Sequence, residues 1–106
     1  MKAITARELL ERIDAGRAPT ILDVRSAQEY ERGHVPGAIL IPFWKFLSGH
    51  AEIPAALHDP VVVYCGHGPR AYIAGSMLRA RGFNRLIYLK GHMSGWAKAG
   101  LRRDVL

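Results

Sequence analysis

A chain of 106 residues with 49% apolar side chains has room for one hydrophobic core and enough material to fill it, which predicts a single domain over residues 1–106. Fifteen basic against nine acidic residues give a formal charge of +6, but the cations are scattered and form no tract, so nothing points to nucleic acid. One cysteine excludes an internal disulfide and any multi-cysteine metal site, and it suits a reducing compartment. No apolar run is long enough for a bilayer and no leader-like core opens the chain, so the expectation is a cytoplasmic protein without a membrane partner.

Ile4 reads as a short edge strand. Thr5-Ala6-Arg7-Glu8 has the form of a capping box, and Leu9, Leu10 and Ile13 continue it as a helix that Gly16 ends. Thr20 to Val24 is a buried strand closing on the polar pair Asp23 and Arg25. Ser26 caps a short helix through Glu29 and Arg32, stopped by Gly33. His34-Val35-Pro36-Gly37 makes a turn, and Ala38 to Ile41 a further strand. Phe43, Trp44, Phe46 and Leu47 form an aromatic helical segment expected to face the core, with Gly49 as its end. His50 to Pro60 reads as loop, with His50 and His58 on the surface.

Val61-Val62-Val63-Tyr64 is a continuous apolar strand. It runs into Cys65-Gly66-His67-Gly68-Pro69-Arg70, after which the spacing predicts a helix over 70–81 with Ile73, Met77 and Leu78 inward and Gly82 as its stop. Gly75 inside that helix points to close packing on the sheet, because it otherwise costs about 1 kcal/mol against alanine. Leu86 to Leu89 is the last strand, and a short helix around Trp96 lies between Gly91 and Gly100. Strands that are apolar throughout and alternate with helices predict an α/β fold, a parallel sheet with helices on both faces. In such a sheet the ligand site lies beyond the carboxyl ends of the strands, where Cys65 stands.

A thiol at a strand end, followed by a glycine-rich turn and a helix N-terminus, meets backbone N–H groups and about half a positive charge. Those conditions bring a cysteine below its ordinary value of about 8.5, so Cys65 is the candidate nucleophile. Arg70, at the loop's end, carries a planar fork suited to oxyanions. Asp23, Arg25 and Glu29 read as a structural ion-pair and capping group, with Arg25 and Glu29 at the spacing of a helical pair. Five scattered histidines show no ligand spacing, so neither a metal nor another cofactor is expected.

Four segments resemble the rhodanese (sulfurtransferase) family. Asp23-Val24-Arg25 with Glu29-Tyr30 is similar to its first signature, and Gly33-His34-Val35-Pro36-Gly37-Ala38 to its second. Cys65-Gly66-His67-Gly68-Pro69-Arg70-Ala71 resembles the active-site loop, and Leu89, Gly91, Trp96 and Ala99-Gly100-Leu101 resemble the closing segment. Three positions depart from the pattern: His92 replaces a second glycine after Gly91, Ala71 stands where serine is common, and Pro69 removes one N–H. The His92 position implies an imidazole close to the active-site loop.

The resemblance implies a rhodanese-like parallel sheet and a two-step reaction. Cys65 takes the outer sulfur of a small anionic donor such as thiosulfate, becomes a persulfide, and yields that sulfur to a thiophilic acceptor such as cyanide or a protein thiol. Cys65 is then catalytic, and Gly66, His67, Gly68, Pro69 and Arg70 bind the substrate, with Arg70 on the oxygens of a thiosulfonate. The alternative is a module that binds or delivers sulfur to a protein partner with little turnover of small molecules. A cysteine phosphatase or arsenate reductase is the weakest reading, because the cradle is one residue shorter than theirs and holds no acid to protonate a leaving alcohol.

Overall fold

The computed structural model of the protein describes residues 2–106. Among them the strands are β1 (Lys2–Ile4), β2 (Thr20–Asp23), β3 (Ile39–Leu40), β4 (Val61–Tyr64) and β5 (Leu86–Leu89). They alternate with helices α1 (Ala6–Asp14), α2 (Ala27–Arg32), α3 (Phe43–Leu47), α4 (Pro69–Ala80) and α5 (His92–Lys98). Every strand pair is parallel, and the sheet order is β1-β5-β4-β2-β3. The predicted α/β architecture is what the chain adopts. The predicted third strand is shorter than expected, only Ile39–Leu40.

The period-two alternation of strand side chains divides the core into two halves. Val61, Val63 and Cys65 point with Leu22, Val24 and Tyr88 into the half covered by Phe46 of α3 and by Ala71, Ala74 and Leu78 of α4. Val62 and Tyr64 point with Ile21 and Leu89 into the half covered by Leu9 of α1, Tyr30 of α2, and Met93 and Trp96 of α5. β4 is therefore buried on both faces, which is why its sequence is apolar without a break.

The predicted capping box at Thr5 forms, and Ser26, expected as a cap, makes a second one. Thr5 accepts from the Glu8 N–H at 3.1 Å and Ser26 from the Glu29 N–H at 3.2 Å, while each glutamate reaches back to its cap N–H. The buried face of α4 differs from the expected one, because it is formed by Ala71, Ala74, Gly75 and Leu78 while Ile73 stays 48% exposed. Small residues let the helix axis approach the sheet, and a large side chain at that face would push it away. Only Phe46 of the aromatic segment is buried, and Trp44 is 60% exposed, contrary to the core expectation. A helix of five residues turns too little surface inward to bury more.

An ion pair closes the carboxyl end of β2. The Asp23 carboxylate accepts from the Arg25 backbone N–H at 3.0 Å, from Arg25 Nε at 3.0 and 3.1 Å, and from Arg25 Nη2 at 2.8 Å. It also accepts from the Tyr64 hydroxyl at 2.7 Å, and Arg25 Nη2 donates to the Gly33 carbonyl at 2.7 Å. Arg25 thus pairs with Asp23, and the expected helical pair with Glu29 does not form. His34, assigned to the turn, stacks on Tyr30 at 3.6 Å between ring centroids and bonds the Tyr30 carbonyl through Nδ1 at 2.8 Å.

Replacing Asp23 with asparagine leaves Arg25 buried without its countercharge, and the expected loss is about 3–5 kcal/mol in denaturant unfolding. A loss below about 1 kcal/mol contradicts this account of the network. For Gly75→Ala two effects compete. The methyl gains about 1 kcal/mol of helix propensity, but it meets the Tyr88 hydroxyl and ring, and that residue is 5% exposed. Overpacking costs about 1–3 kcal/mol, so a net loss is expected in the unfolding midpoint, and a gain contradicts the close approach.

Candidate active site

From β2 the chain moves outward to β3, and from β4 it moves the opposite way to β5. The loops after these adjacent strands diverge, and the crevice between them is the topological switch point where open parallel sheets hold ligands. Cys65 and its loop come from one side of the crevice, and Arg25 and Glu29 come from the other.

The 65–70 loop holds the thiol inside a turn. Gly68 N–H donates to Cys65 Sγ at 2.9 Å, three residues along the chain. Gly68 has φ 137°, a conformation open in practice only to glycine, and a Cβ there would lie 3.0 Å from the Tyr72 ring. Helix α4 then begins with Pro69, whose missing N–H is no loss at a first helical position. Cys65 is 1% exposed, whereas His67 and Pro69 lie on the surface, so the loop covers the thiol it cradles. The hollow of about 510 Å³ lined by Arg79, Phe83, Arg85 and Leu86 is at the amino end of β5, away from this crevice.

The turn before α5 clamps the same loop. Gly91 has φ 78° and His92 φ 51°, the one non-glycine residue with positive φ among those described. This turn delivers three hydrogen bonds to Cys65 and Gly66. Met93 N–H donates to the Cys65 carbonyl at 2.9 Å, Ser94 N–H donates to the Gly66 carbonyl at 3.1 Å, and Cys65 N–H donates to His92 Nδ1 at 3.2 Å. Because Nδ1 accepts, the neutral ring carries its proton on Nε2. His92 is 4% exposed, with Tyr72 against it edge-on at 5.6 Å.

Opposing effects set the thiol's acidity. Burial pushes it up, but the His92 ring and the N–H groups of Ala71, Gly68 and His67 stabilise the thiolate, and the balance is a pKa of about 7. A substantial share of the thiol is therefore nucleophilic at neutral pH.

The profile of the Rhodanese-like domain matches residues 5–99. The chain belongs to this family. It is 31% identical over 98 residues to a sulfurtransferase of Allochromatium vinosum, covering 92% of this chain and 90% of that one. It is 35% identical over 95 residues to the probable adenylyltransferase/sulfurtransferase MoeZ of Mycobacterium tuberculosis, and it spans only 24% of that protein's length. Among solved structures, the Alr3790 protein of Anabaena superposes with a TM-score of 0.85 at 30% identity, covering 97% of this chain and 82% of that one.

Within this rhodanese-like site the Arg70 side chain, expected on a donor's oxygens, is paired with a carboxylate of α2. Its Nη1 donates to Glu29 Oε1 at 2.7 Å and its Nη2 to Glu29 Oε2 at 3.0 Å. The fork assigned to a donor's oxygens is closed on a carboxylate. Arg70 holds the Glu29 carboxyl down to about 2, against burial and with help from Ser26. Glu29 and Arg70 are 41 positions apart and on different elements, so no local spacing announces the pair. Tyr72, which walls both Gly68 and His92, also escaped notice, since its helical position reads as ordinary surface.

His92→Gly keeps the positive φ and removes the ring. The pH midpoint of Cys65 alkylation by iodoacetamide is expected to rise from about 7 toward the ordinary thiol value. His92→Asn, which tolerates the same backbone and offers an amide, is expected to recover part of the shift. A midpoint that stays near the wild-type value in both variants rules out the imidazole as a cause of the lowered pKa.

Proposed function

We propose that the protein is a sulfurtransferase that carries a sulfane sulfur as a persulfide on Cys65. The observation that supports this most directly is a thiol at the end of the central strand with Gly68 N–H 2.9 Å from Sγ and a pKa of about 7. The thiolate attacks the outer sulfur of the donor. A new S–S bond forms to Cys65, the bond within the donor breaks, and its electron pair leaves with the remainder. A thiophilic acceptor, cyanide or a thiol, then attacks the terminal sulfur and Cys65 departs as thiolate. Both the thiolate and the persulfide are anionic, so N–H groups fixed around Sγ favour them throughout without reorganising. Gly66, His67, Gly68 and Pro69 shape the cradle, and Arg70 fastens it to α2.

A second reading, delivery of sulfur to a protein partner, is favoured by the chain's matching only 24% of MoeZ, where a unit of this kind is one part of a longer protein. Turnover that needs a protein thiol and is absent with small acceptors would mark it. The closed Arg70 fork also removes the guanidinium a phosphoryl group would use, which argues against a cysteine phosphatase.

Intact mass tests the persulfide. After incubation with thiosulfate or with glutathione persulfide, wild-type protein is expected to gain one sulfur atom and to lose it on addition of cyanide, whereas Cys65→Ser gains none. Failure of both donors to load a thiol that still alkylates overturns the proposal.

A further inference from the structure

If Cys65 carries sulfur as proposed above, the charge of its surroundings decides which donors can load it. Thiosulfate reacts as Cys65–S⁻ + S–SO₃²⁻ → Cys65–S–S⁻ + SO₃²⁻, so three negative charges share the site from encounter to departure. A persulfide reacts as Cys65–S⁻ + R–S–SH → Cys65–S–SH + R–S⁻. In that exchange the S–S bond forms at Cys65, the donor's S–S bond breaks, and its electron pair leaves with the thiolate R–S⁻. Only one negative charge is present.

Among the described residues, both guanidinium groups that border the crevice are held by carboxylates. The Arg70 guanidinium is held by both oxygens of Glu29 at 2.7 and 3.0 Å, so the pair sums to zero. This neutral pair is what faces the loop, since a Cβ on Gly66 would lie 3.3 Å from Arg70 Nη2 and 3.7 Å from Glu29 Oε2. Arg25, the other guanidinium at the crevice, is held by Asp23 and the Gly33 carbonyl. Gly66, His67, Gly68 and Pro69 bring no lysine or arginine to the turn. The wall beside Gly68 is the Tyr72 ring and the His92 ring, whose atoms lie 3.0 and 3.4 Å from where a Cβ would stand, an apolar face that suits an organic group and one neutral N–H that brings no full charge to a sulfonate.

We propose that the site selects an organic persulfide as sulfur donor and discriminates against thiosulfate, and that the Glu29–Arg70 pair sets this preference by cancelling the one guanidinium next to the loop. A thiosulfonate brings two negative charges to a thiolate while the neighbouring guanidinium is cancelled, whereas a protonated persulfide leaves only the thiolate's own charge, which the N–H cradle can hold.

Loading rates of the whole protein, followed by intact mass at equal concentrations of glutathione persulfide and thiosulfate in about 0.15 M salt, test the preference. The expected result is loading by the persulfide at least about tenfold faster. Equal rates, or faster loading by thiosulfate, overturn the proposal. Loading by neither donor instead overturns the Cys65 persulfide reading on which it rests. In Glu29→Gln the capping position keeps a suitable side chain while Arg70 regains its charge. The ratio of thiosulfate to persulfide loading is expected to rise at least about fivefold. An unchanged ratio in a variant whose melting temperature shows it folded excludes the Glu29–Arg70 pair as the determinant.

Discussion

A carboxylate and a guanidinium lie almost out of contact with water where β2 ends, and the carboxyl edge of the sheet is arranged to satisfy them. Asp23 is fully buried and Arg25 is 6% exposed. Taking such charges out of water is expensive, and the attraction between them repays the loss only if the remaining donors and acceptors also find partners. Here they do. Tyr64 donates to Asp23, and its hydroxyl oxygen accepts from Val35 N–H at 3.1 Å, while Arg25 reaches the Gly33 carbonyl. Burial, and then the neighbouring Asp23 carboxylate, push the Tyr64 phenol up, so it stays a donor at every physiological pH. The network joins the end of β2, the turn at Gly33 to Val35 and the last residue of β4. That last residue immediately precedes Cys65. With Tyr64 held to one face of the sheet, strand alternation leaves Cys65 no choice but the other, the face covered by α4.

Orientation alone does not make a thiol reactive, and the second support comes from the far end of the chain. The N–H and carbonyl of Cys65 are both engaged by the 92–93 turn, and the Gly66 carbonyl is taken by Ser94. His92 sits at positive φ to make this possible, a conformation that costs a non-glycine residue about 1–3 kcal/mol unless its surroundings hold it there. The same placement brings its ring to the thiol. A position where the fold would accept glycine at no strain is used for an imidazole that stabilises a charge on sulfur.

Much of this was legible in the residue order because it is local. The capping boxes at Thr5 and Ser26, the apolar run of β4 and the glycine turn after Cys65 each rest on neighbours a few positions apart. The position of His92 was legible for another reason, since the motif pattern showed what it replaced. What failed was long-range or depended on element length. Arg25 and Glu29 stand at helical spacing, yet Arg25 precedes the helix and turns back to Asp23, leaving Glu29 free for Arg70 across the crevice. Trp44 looked like core, but one short helix can present only one side chain inward, and Phe46 is that residue. A pattern of apolar residues says that a face exists; it does not say how close the neighbouring element comes, and on α4 that distance favoured alanines over Ile73.

Electrostatics act here at two ranges. The formal charge of +6 raises the concentration of any anion near the surface, within a screening length of about 8 Å at physiological salt. Such a field attracts small anions of every kind, so it speeds encounter and distinguishes poorly among them. Discrimination has to come from groups next to Sγ, and there the nearest cation is cancelled. Because Glu29 is held down to about 2, it stays ionised throughout the physiological range, and its neutralisation of Arg70 is a constant of the site and not a switch. The thiol, at about 7, gains or loses its proton against that fixed background. Only a thiolate attacks sulfur, so a thiol poised near 7 keeps a nucleophile in supply at neutral pH, and the same low basicity makes it a good leaving group in any exchange that follows.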